Sequence, residues 1–467
     1  MKDFEEFFTL DGSVGLYSEN DNDVYHSVYG ALTEAYEKFI NPSDLKAYFE
    51  NNNEIKILDI CYGIGYNTKA FINYFLENIL QKKSKNKCTL TEGIEPIHTD
   101  NILSKNSKDN KEIFSLKGKC INTLYTYNVL KDLVRKIRMF FEKKNCLTQK
   151  TNLPNWQIYI NAIDTNLTLI KLSPFIKSIN KKNLFKYIKQ SKTGIEKIDR
   201  YLLKNKNNYL KNNIKYKLLD ETNMLLVIKL VDIYKDKIFS DDVIKILSDK
   251  KLSLFFDEKM LNFASFYLKW RYNLSSKWNK LTFLHNIYYQ YLSKSYKNTL
   301  KVLENNNFIL KVSNEDARKT CCYDDLTYDC IFLDAFTPAK SPSLWTEDFF
   351  KVLYEHLNHS GKLLTYSKSA IVRNAMIKNK FYLGNTYDDN ENIIGTIATK
   401  EQSLIKHNLT KYELGLINTK AGITYKDSGL NLSISEILDN RNKEVETSEL
   451  QSSTQYIKNY KGDKDEI

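Results

Sequence analysis

Residues 55–68 read Ile-Lys-Ile-Leu-Asp-Ile-Cys-Tyr-Gly-Ile-Gly-Tyr-Asn-Thr, an apolar run followed by two closely spaced glycines. The first six residues predict a buried strand, and the apolar residues after the glycines predict a helix. This order begins a nucleotide-binding βαβ unit, because Gly63 and Gly65 would let the backbone approach a ligand at the helix N-terminus. The third glycine of the dinucleotide fingerprint is missing, since Asn67 or Thr68 stands in its place.

Other apolar runs of strand length recur along the chain, and four predicted strands end on or near an acidic residue: Asp59, Glu95, Asp316 and Asp334. Ligands bind at the carboxyl ends of parallel strands in doubly wound sheets, and these ends meet at one edge. Four acids there predict a ligand with several hydrogen-bond donors, such as a nucleoside with an amino group. The predicted strands are 55–60, 88–95, 308–312, 329–334 and 361–366, with a closing hairpin at 381–387 and 393–400.

Composition excludes several classes of protein. The chain has 467 residues, 42% of them hydrophobic, and a formal net charge of +12. This length corresponds to about three domain-equivalents, and the apolar content excludes wholesale disorder. No apolar run predicts a transmembrane helix, and the acidic N-terminus does not resemble a signal peptide. The seven cysteines lack CxxC spacing, which argues against a disulfide framework or zinc cluster and favours a reducing cytoplasm.

The positive charge is concentrated in residues 101–300, which hold 39 Lys and Arg against 16 Asp and Glu. The rest of the chain is net acidic, with 30 basic and 41 acidic residues. Two glycines and two prolines interrupt this block, so it is predicted to be mostly helical. Its charge has two interpretations: a surface that neutralises nucleic-acid phosphates, or the Lys-rich composition expected of A+T-rich coding DNA.

The loop 334–345 reads Asp-Ala-Phe-Thr-Pro-Ala-Lys-Ser-Pro-Ser-Leu-Trp, and its two prolines fix an extended conformation. Together with other segments in the same order, it resembles the methyltransferase domain of the bacterial tRNA 5-methylaminomethyl-2-thiouridine enzymes, the MnmC family. The resemblance covers about 1–95 and 285–440. Its other segments are Asp-Gly-Ser at 11–13, Tyr-His-Ser at 25–27, Gly-Ala-Leu-Thr-Glu at 30–34, the glycine turn at 59–67, Asp-Ala-Arg at 316–318, Thr-Tyr-Ser at 365–367, Val-Arg at 372–373, Gly-Thr-Ile-Ala at 395–398 and residues 412–423.

The resemblance implies a Rossmann-like class I S-adenosylmethionine-dependent methyltransferase, an α/β protein whose sheet has one antiparallel edge strand. It implies methyl transfer to the aminomethyl nitrogen on C5 of the wobble uridine 34 of tRNA, with tRNA as the partner. No metal is expected. No FAD is expected either, because the residues after 440 are too few for the oxidase domain of the bifunctional members. A separate enzyme would then supply the aminomethyl precursor.

The resemblance also implies roles for individual residues. Asp334 would orient the acceptor amine, although an ordinary carboxylate pKa of about 4 would make it a weak base. Its alternatives are a helix cap or a contact to the ammonium group of the cofactor. Tyr25 would share the catalytic site or simply pack. The cofactor-binding residues would be Asp59, Gly63, Gly65, Asn67, Glu34, Glu95 for the ribose hydroxyls (or Glu92) and Asp316 for the adenine amino group; Lys340 and Arg373 would contact RNA phosphates or be surface charges.

The predicted organisation is a split methyltransferase domain at 1–98 and 283–440, a basic helical insertion at 99–282, and a polar tail at 441–467 whose composition favours disorder. Two rival functions fit parts of the sequence. An aminopropyltransferase-like polyamine enzyme also places an acid after the fourth strand. A non-catalytic RNA-binding protein would use the basic block alone, although the intact glycines and acids argue against it.

Overall fold

The computed structural model describes residues 4–18, 23–25, 29–80, 156–177, 219–249, 252, 255–277 and 307–460. The strands of these residues form two sheets. The smaller sheet is antiparallel and contains β1 (Phe4–Phe8), β2 (Val14–Ser18) and β3 (Asp23–Val24). The larger sheet contains β4 (Glu54–Ile60), β5 (Gln157–Ile163), β6 (Asn307–Ser313), β7 (Tyr328–Leu333), β8 (Leu357–Thr365), β9 (Tyr382–Tyr387) and β10 (Ile393–Thr399).

The strand order of the larger sheet is β6-β5-β4-β7-β8-β10-β9. The pairs β4–β5, β5–β6, β4–β7 and β7–β8 are parallel, whereas β10 runs antiparallel to both β8 and β9. The predicted hairpin is thus confirmed. The predicted position of the antiparallel strand is wrong, because the hairpin folds β10 back beside β8 and leaves β9 at the edge.

Helices cover both faces of the larger sheet. In chain order they are α1 (Ala31–Ala35), α2 (Asn41–Ser43), α3 (Leu45–Asn51), α4 (Tyr66–Phe75), α5 (Leu167–Leu172), α6 (Leu219–Tyr234), α7 (Asp241–Ser248), α8 (Glu258–Tyr272), α9 (Ala317–Cys322), α10 (Glu347–His356), α11 (Ala370–Lys378), α12 (Lys411–Ile417), α13 (Ile434–Thr447) and α14 (Ser453–Asn459). Short π-helical turns at Tyr36–Ile40 and Leu76–Leu80 extend α1 and α4. Short 3₁₀ turns lie at Ser173–Phe175, Lys235–Phe239, Pro342–Trp345, Gln402–Leu404 and Lys420–Gly422.

The central strand β4 is buried on both faces. Ile55 and Ile57 point into a core that includes α4, α6 and α8, whereas Leu58 and Ile60 point into a second core that includes α9, α10 and α11. A strand covered on both sides reads as a continuous apolar run rather than as an alternating one. This explains why the sequence Ile-Leu-Asp-Ile around Asp59 predicts β4 correctly.

Strand β5 lies inside the segment 99–282 that the sequence analysis assigned to a helical insertion. The structure instead pairs Gln157–Ile163 in parallel with both β4 and β6, as an interior strand of the sheet. Helix α6 also belongs to the core, since its fully buried Leu226 and Val227 lie in the same core as Ile57 of β4. Chain connections between parallel strands need a crossover, and the α5–α8 helices lie within the one between β5 and β6.

The described part of the basic block is electrically balanced. Within residues 156–177, 219–249 and 255–277 the sequence holds ten basic and ten acidic residues. The mostly helical character predicted for the block is found there in α5, α6, α7 and α8, with β5 as the exception. The excess positive charge therefore belongs to parts of the block outside the described residues.

The C-terminal residues are ordered into helices as far as position 460, although their composition favours disorder. Helix α13 begins with a capping box, in which Ser433 Oγ accepts from the Glu436 N–H at 3.3 Å and the Ser433 N–H donates to Glu436 at 2.8 Å. Its buried Ile437 packs into the second core. Local capping plus one apolar anchor thus holds a helix whose surface is polar.

We expect Leu226→Ala to lower the free energy of unfolding by about 2–5 kcal/mol, because it leaves a cavity in the core beneath α6. Urea denaturation measures this change. The matched control is Lys237→Ala, an exposed residue shortly after α6 that should change stability by less than about 0.5 kcal/mol. Equal stability of the two variants would show that α6 does not belong to the core.

Candidate active site

A cavity of about 480 Å³ lies at the carboxyl ends of β4, β5, β6 and β7. This is the edge at which doubly wound sheets bind ligands, and the volume is typical of small-molecule sites. Five sequence-predicted residues line it: Tyr25, Glu34, Gly63, Asp316 and Asp334. Other lining residues that the sequence analysis did not single out include Lys38, Cys61, Asp164, Glu315, Phe336 and Tyr366.

The turn between β4 and α4 forms one wall of the cavity. Cys61, Gly63 and Gly65 adopt left-handed φ angles of 66°, 53° and 77°. A Cβ at Gly65 would lie 2.5 Å from the ring of Tyr62, so glycine is also required there for space. The N–H groups of Cys61 and Tyr62 donate to the Ile163 carbonyl at 2.9 and 3.0 Å, which ties the turn to the end of β5. Gly63 therefore faces the cavity, and Gly65 shapes the turn behind it.

Asp164 directly follows β5 and belongs to the wall of the cavity. Its Oδ2 accepts from the Gly63 N–H at 2.7 Å, and its Oδ1 accepts from the Asn166 N–H at 2.7 Å. Burial raises the pKa of Asp164 above its ordinary value, while the two N–H donors oppose this. This acid occupies the end of the strand next to β4, the position that the sequence analysis gave to Glu95. Glu95 and Glu92 lie outside the described residues.

Sequence reasoning missed Asp164, although the signal was present. Residues 156–164 read Trp-Gln-Ile-Tyr-Ile-Asn-Ala-Ile-Asp, a strand-length apolar run that ends on an acid like those of β4 and β7. The basic composition of the surrounding 200 residues obscured it. A search of the block for strands ending on acids would have found it.

Asp334 follows β7 and is partly exposed to the cavity. Its Oδ2 accepts from Asn67 Nδ2 at 3.0 Å, so Asn67 holds this acid in position. Burial, with the nearby Glu34 charge in addition, raises the pKa of Asp334 to about 7, while Asn67 and Lys38 oppose the rise. The expectation of an ordinary pKa is therefore wrong, because it ignored the burial of the site. A carboxyl with this pKa can accept a proton near neutral pH.

Asp59 lies beneath the turn and is 1% exposed. Its Oδ2 accepts from Thr68 Oγ1 at 2.6 Å, and burial raises its pKa to about 6. Its Oδ1 has no hydrogen-bond partner among the described residues. Asp59 thus secures the first turn of α4 and does not belong to the cavity lining. Direct cofactor contact by Asp59 is not supported by this position.

A loop between β1 and β2 fixes the start of α1 beside the cavity. Asp11 Oδ2 accepts from both the N–H and the hydroxyl of Thr33, each at 2.9 Å. Ser13 Oγ accepts from the Ala31 N–H at 3.0 Å. These contacts satisfy N–H groups that a helix N-terminus leaves open, and they orient the helix that carries Glu34. They give a structural reason for the Asp-Gly-Ser segment at 11–13.

Aromatic rings form another part of the cavity wall. Tyr25 packs edge-on against Phe336, with the ring centroids 5.0 Å apart. Tyr366 donates its hydroxyl to the Ala335 carbonyl at 2.8 Å and packs edge-on against Trp345. The cavity therefore has an aromatic side near Asp334, which suits a flat ligand such as a base.

Asp316 caps α9 at the end of β6. Its Oδ1 accepts from the Arg318 N–H at 2.9 Å, and its Oδ2 pairs with Arg318 Nη2 at 2.7 Å. Arg318 Nη1 also donates to Asp427 Oδ2 at 2.7 Å and to the Leu432 carbonyl at 3.0 Å. The segment that leads into α13 thereby holds the orientation of Asp316, and Ile434 of α13 reaches the cavity.

Arg373 is buried and cannot contact a phosphate, so this prediction is wrong. It is 2% exposed, and its guanidinium donates to Glu413 and Asn385 at 2.6 Å each and to Thr396 at 3.0 Å. It connects α11, α12 and the β9–β10 hairpin. Lys340 is half-buried in the loop after β7, between the cavity-lining residues Thr337 and Ser341. His26, another residue of the sequence motifs, lies outside the described residues.

The charges that line the cavity are mostly negative. Among the described residues, the acidic lining consists of Glu34, Asp164, Glu315, Asp316 and Asp334, and the one cationic lining residue is Lys38. Such a cavity favours ligands that carry positive charge. The described residues contain no cluster of three or more His, Cys, Asp or Glu arranged to hold a metal ion. None of their helices is long and apolar enough to cross a membrane.

Comparisons with known proteins agree with this geometry. Residues 279–390 match a family model described as S-adenosyl-L-methionine-dependent methyltransferase. An uncharacterised protein of Methanocaldococcus jannaschii is 27% identical over 132 residues, which cover 28% of this chain and 37% of that protein. The tRNA 5-methylaminomethyl-2-thiouridine biosynthesis bifunctional protein MnmC of Campylobacter fetus is 24% identical over 131 residues, which cover 24% of this chain and 21% of that protein.

The chain thus spans well under half the length of these curated relatives. Among solved structures, MnmC2 from Aquifex aeolicus aligns with a TM-score of 0.47 and 16% identity, over 95% of this chain and 86% of that one. The strand order confirms the predicted Rossmann-like methyltransferase fold, and the matched family model agrees with the predicted dependence on S-adenosylmethionine.

We expect Arg373→Met to lower the free energy of unfolding by about 3–5 kcal/mol, because Glu413, whose side chain is 12% exposed, would lose its cation. Urea denaturation measures the loss, and the double variant with Glu413→Gln should recover part of it. At temperatures where Arg373→Met stays folded, its affinity for tRNA should equal that of the unchanged protein. A weaker affinity for tRNA with a shallower salt dependence would contradict this prediction and would show that Arg373 contacts a phosphate.

We also expect Asp334→Asn to stabilise the protein at pH 8 by roughly 1–3 kcal/mol. Asp334 has a pKa of about 7 when folded and about 3.9 when unfolded, so its ionised form lowers stability above pH 7. This loss disappears as the pH falls from 7 to 4, and the difference between the two proteins should disappear with it. Chemical denaturation at several pH values measures the difference.

Asp232→Asn is the control for this prediction. Asp232 on α6 accepts hydrogen bonds from the hydroxyls of Tyr267 and Tyr272 at 3.0 and 2.6 Å, so its replacement should bring no gain in stability. Equal stability of Asp334→Asn and the unchanged protein at pH 8 would show that burial does not penalise the charge of Asp334.

Proposed function

We propose that this protein transfers a methyl group from S-adenosylmethionine to the amine of the 5-aminomethyl group on uridine 34 of tRNA. The observation that carries this proposal is Asp334, a carboxyl with a pKa of about 7 at the edge of an acidic cavity that an aromatic wall completes. The sequence resemblance and the similarity to the Campylobacter tRNA 5-methylaminomethyl-2-thiouridine biosynthesis protein support the choice of acceptor.

The cavity fits S-adenosylmethionine in charge and in position. This cofactor would supply an electrophilic methyl group on a positively charged sulfur, and the acidic lining complements that charge. The turn at Gly63 would face its methionine part, and Asp316 would accept from its adenine amino group. Asp164 follows the strand next to β4, which is where an acid contacts ribose hydroxyls in this type of fold. We therefore propose Asp164 for the role that the sequence analysis gave to Glu95.

Asp334 would remove a proton from the acceptor amine. A primary alkylamine has a pKa of about 10 and arrives as an ammonium ion, which cannot attack a methyl group. Asp334 accepts hydrogen bonds from the ammonium and takes one proton before or during the transfer. With a pKa of about 7 it can pass that proton to water and return to its charged form. Asn67 keeps the carboxylate pointed at the acceptor.

Positioning supplies the rest of the catalysis. The turn and the aromatic wall would hold donor and acceptor in line, and such an arrangement can contribute several kcal/mol. Tyr25 and Phe336 would pack against the uridine, and Glu34 would lie close to its aminomethyl group. Basic residues would bind the phosphates of the tRNA backbone, among them Lys340 and the excess cations of residues 101–300.

Nucleoside mass spectrometry tests the proposal. Purified protein is incubated with S-adenosylmethionine and tRNA that carries 5-aminomethyl-2-thiouridine at position 34. We expect that nucleoside to become 5-methylaminomethyl-2-thiouridine, and tRNA with an unmodified uridine 34 to gain no methyl group. Asp334→Asn should lower turnover by about 100-fold or more while cofactor binding remains. Asp232→Asn should leave turnover unchanged.

Two results would contradict the proposal. Transfer of an aminopropyl group to a polyamine from decarboxylated S-adenosylmethionine, without tRNA methylation, would favour the polyamine enzyme. Binding of tRNA with no detectable binding of S-adenosylmethionine by calorimetry would favour a non-catalytic RNA-binding protein.

A further inference from the structure

Lys38 is the one cation among the described residues that line the cavity, and a neighbour on the same helical segment fixes its position. It lies four residues after Glu34, on the π-helical turn that extends α1, and its ammonium pairs with the Glu34 carboxylate. Both side chains are 19% exposed, so water screens this pair only in part. Both residues line the cavity that contains Asp334.

The ammonium of Lys38 has a second contact, with an aromatic ring. It lies 5.4 Å from the centroid of the Tyr366 ring. The hydrogen bond from the Tyr366 hydroxyl to Ala335, the residue after Asp334, fixes that ring. A carboxylate together with an aromatic face is a typical binding site for an alkylammonium ion. Lys38 therefore occupies a position that a protonated aminomethyl group would otherwise favour.

We propose that Lys38 keeps the acceptor amine in its neutral, nucleophilic form by occupying the Glu34–Tyr366 site and placing a fixed positive charge beside the amine. This inference rests on the proposed function. With Glu34 already paired, the incoming amine has Asp334 as its carboxylate partner. The charge of Lys38 repels a second positive charge beside it, so the bound amine loses its proton more readily than it would in the same acidic cavity without Lys38.

The reaction moves one proton and one methyl group. The ammonium of the acceptor gives one proton to Asp334, and the resulting neutral amine forms a bond from its nitrogen to the methyl carbon of the cofactor. The bond between that carbon and the sulfonium sulfur breaks, and its electron pair stays on sulfur as a neutral thioether. The positive charge moves to the methylated nitrogen, and Asp334 releases its proton to water.

Several charged groups contribute to this balance. Glu34 and Glu37 face Lys38 from its own helical segment, and Asp334 and Tyr366 face it from the ends of β7 and β8. Asp59 raises the pKa of Asp334 further from below the turn. The charges of Asp388 and Asp389, in the turn between β9 and β10, help to raise the pKa of Glu37. The positive charge of Lys38 opposes a predominantly negative field, so its removal changes the protonation of the whole site.

The experiment compares Lys38→Met with Lys38→Arg. For each protein, kcat is measured between pH 6 and pH 10 at saturating cofactor and saturating tRNA with 5-aminomethyl-2-thiouridine. The acidic limb of the profile reports the protonation of the bound amine and Asp334. We expect Lys38→Met to move this acidic limb to a pH about one unit higher. At pH 7 the kcat of the variant should then be about tenfold below the plateau that the same variant reaches at high pH. Lys38→Arg should keep the limb of the unchanged protein, because it keeps the charge.

A merely structural role for Lys38 predicts a different result. Loss of packing would lower kcat equally at all pH values, and an unchanged limb in Lys38→Met would overturn the inference. The same shift in both variants would overturn it too, since charge would then not be the cause. Lys38→Gln serves as a second neutral variant, and calorimetry of S-adenosylmethionine binding verifies that each variant is folded. Absence of methylation by the unchanged protein would reject the proposed function itself, and this inference with it.

Discussion

Carboxylates held out of water at the edge of a parallel sheet are the constraint on which the rest of the site depends. Burial raises the pKa of Asp59 to about 6 and that of Asp334 to about 7. Each buried acid needs donors, which are Gly63 in the turn between β4 and α4, and Asn67 and Thr68 in the first turn of α4. The left-handed backbone of this turn therefore places the donors that the buried acids require. A cationic ligand would relieve what remains of the electrostatic penalty.

The opposite end of the chain takes part in the same arrangement. Arg318 joins Asp316 at the cavity to the buried Asp427, which also accepts from the N–H groups of Asn431 and Leu432 at 3.0 Å each. The residues that lead into α13 thus determine where Asp316 points. Polar composition in this part of the chain reflects a network of hydrogen bonds and caps, and not an absence of structure.

Local sequence patterns predict the parts of the fold that depend on local physics. The strands β4 and β7 were predictable because continuous apolar runs mark strands buried on both faces, and shorter apolar runs marked β6, β8 and the hairpin. Strand β5 was not predicted, since its apolar run lies within a segment whose average composition is basic and helical. The role of Arg373 depends on Glu413 and Asn385, partners that no local pattern connects to it.

The sequence predicts where the site lies, but it predicts less of the chemistry of the site. The acids at the strand ends predicted the edge at which the cavity forms, and the glycine turn predicted one wall. The pKa of Asp334 could not be predicted in this way, because it depends on burial and on Glu34, which lies 300 residues earlier in the chain. Asp11 and Ser13 fix the helix that carries Glu34 and Lys38, and Tyr25 lies just before it. Under the proposed function, one short N-terminal segment would line part of the acceptor side, while the cofactor side would come from the ends of β4, β5 and β6. Exchange of that segment, by evolution or in chimaeras, would then change the acceptor without rebuilding the donor half.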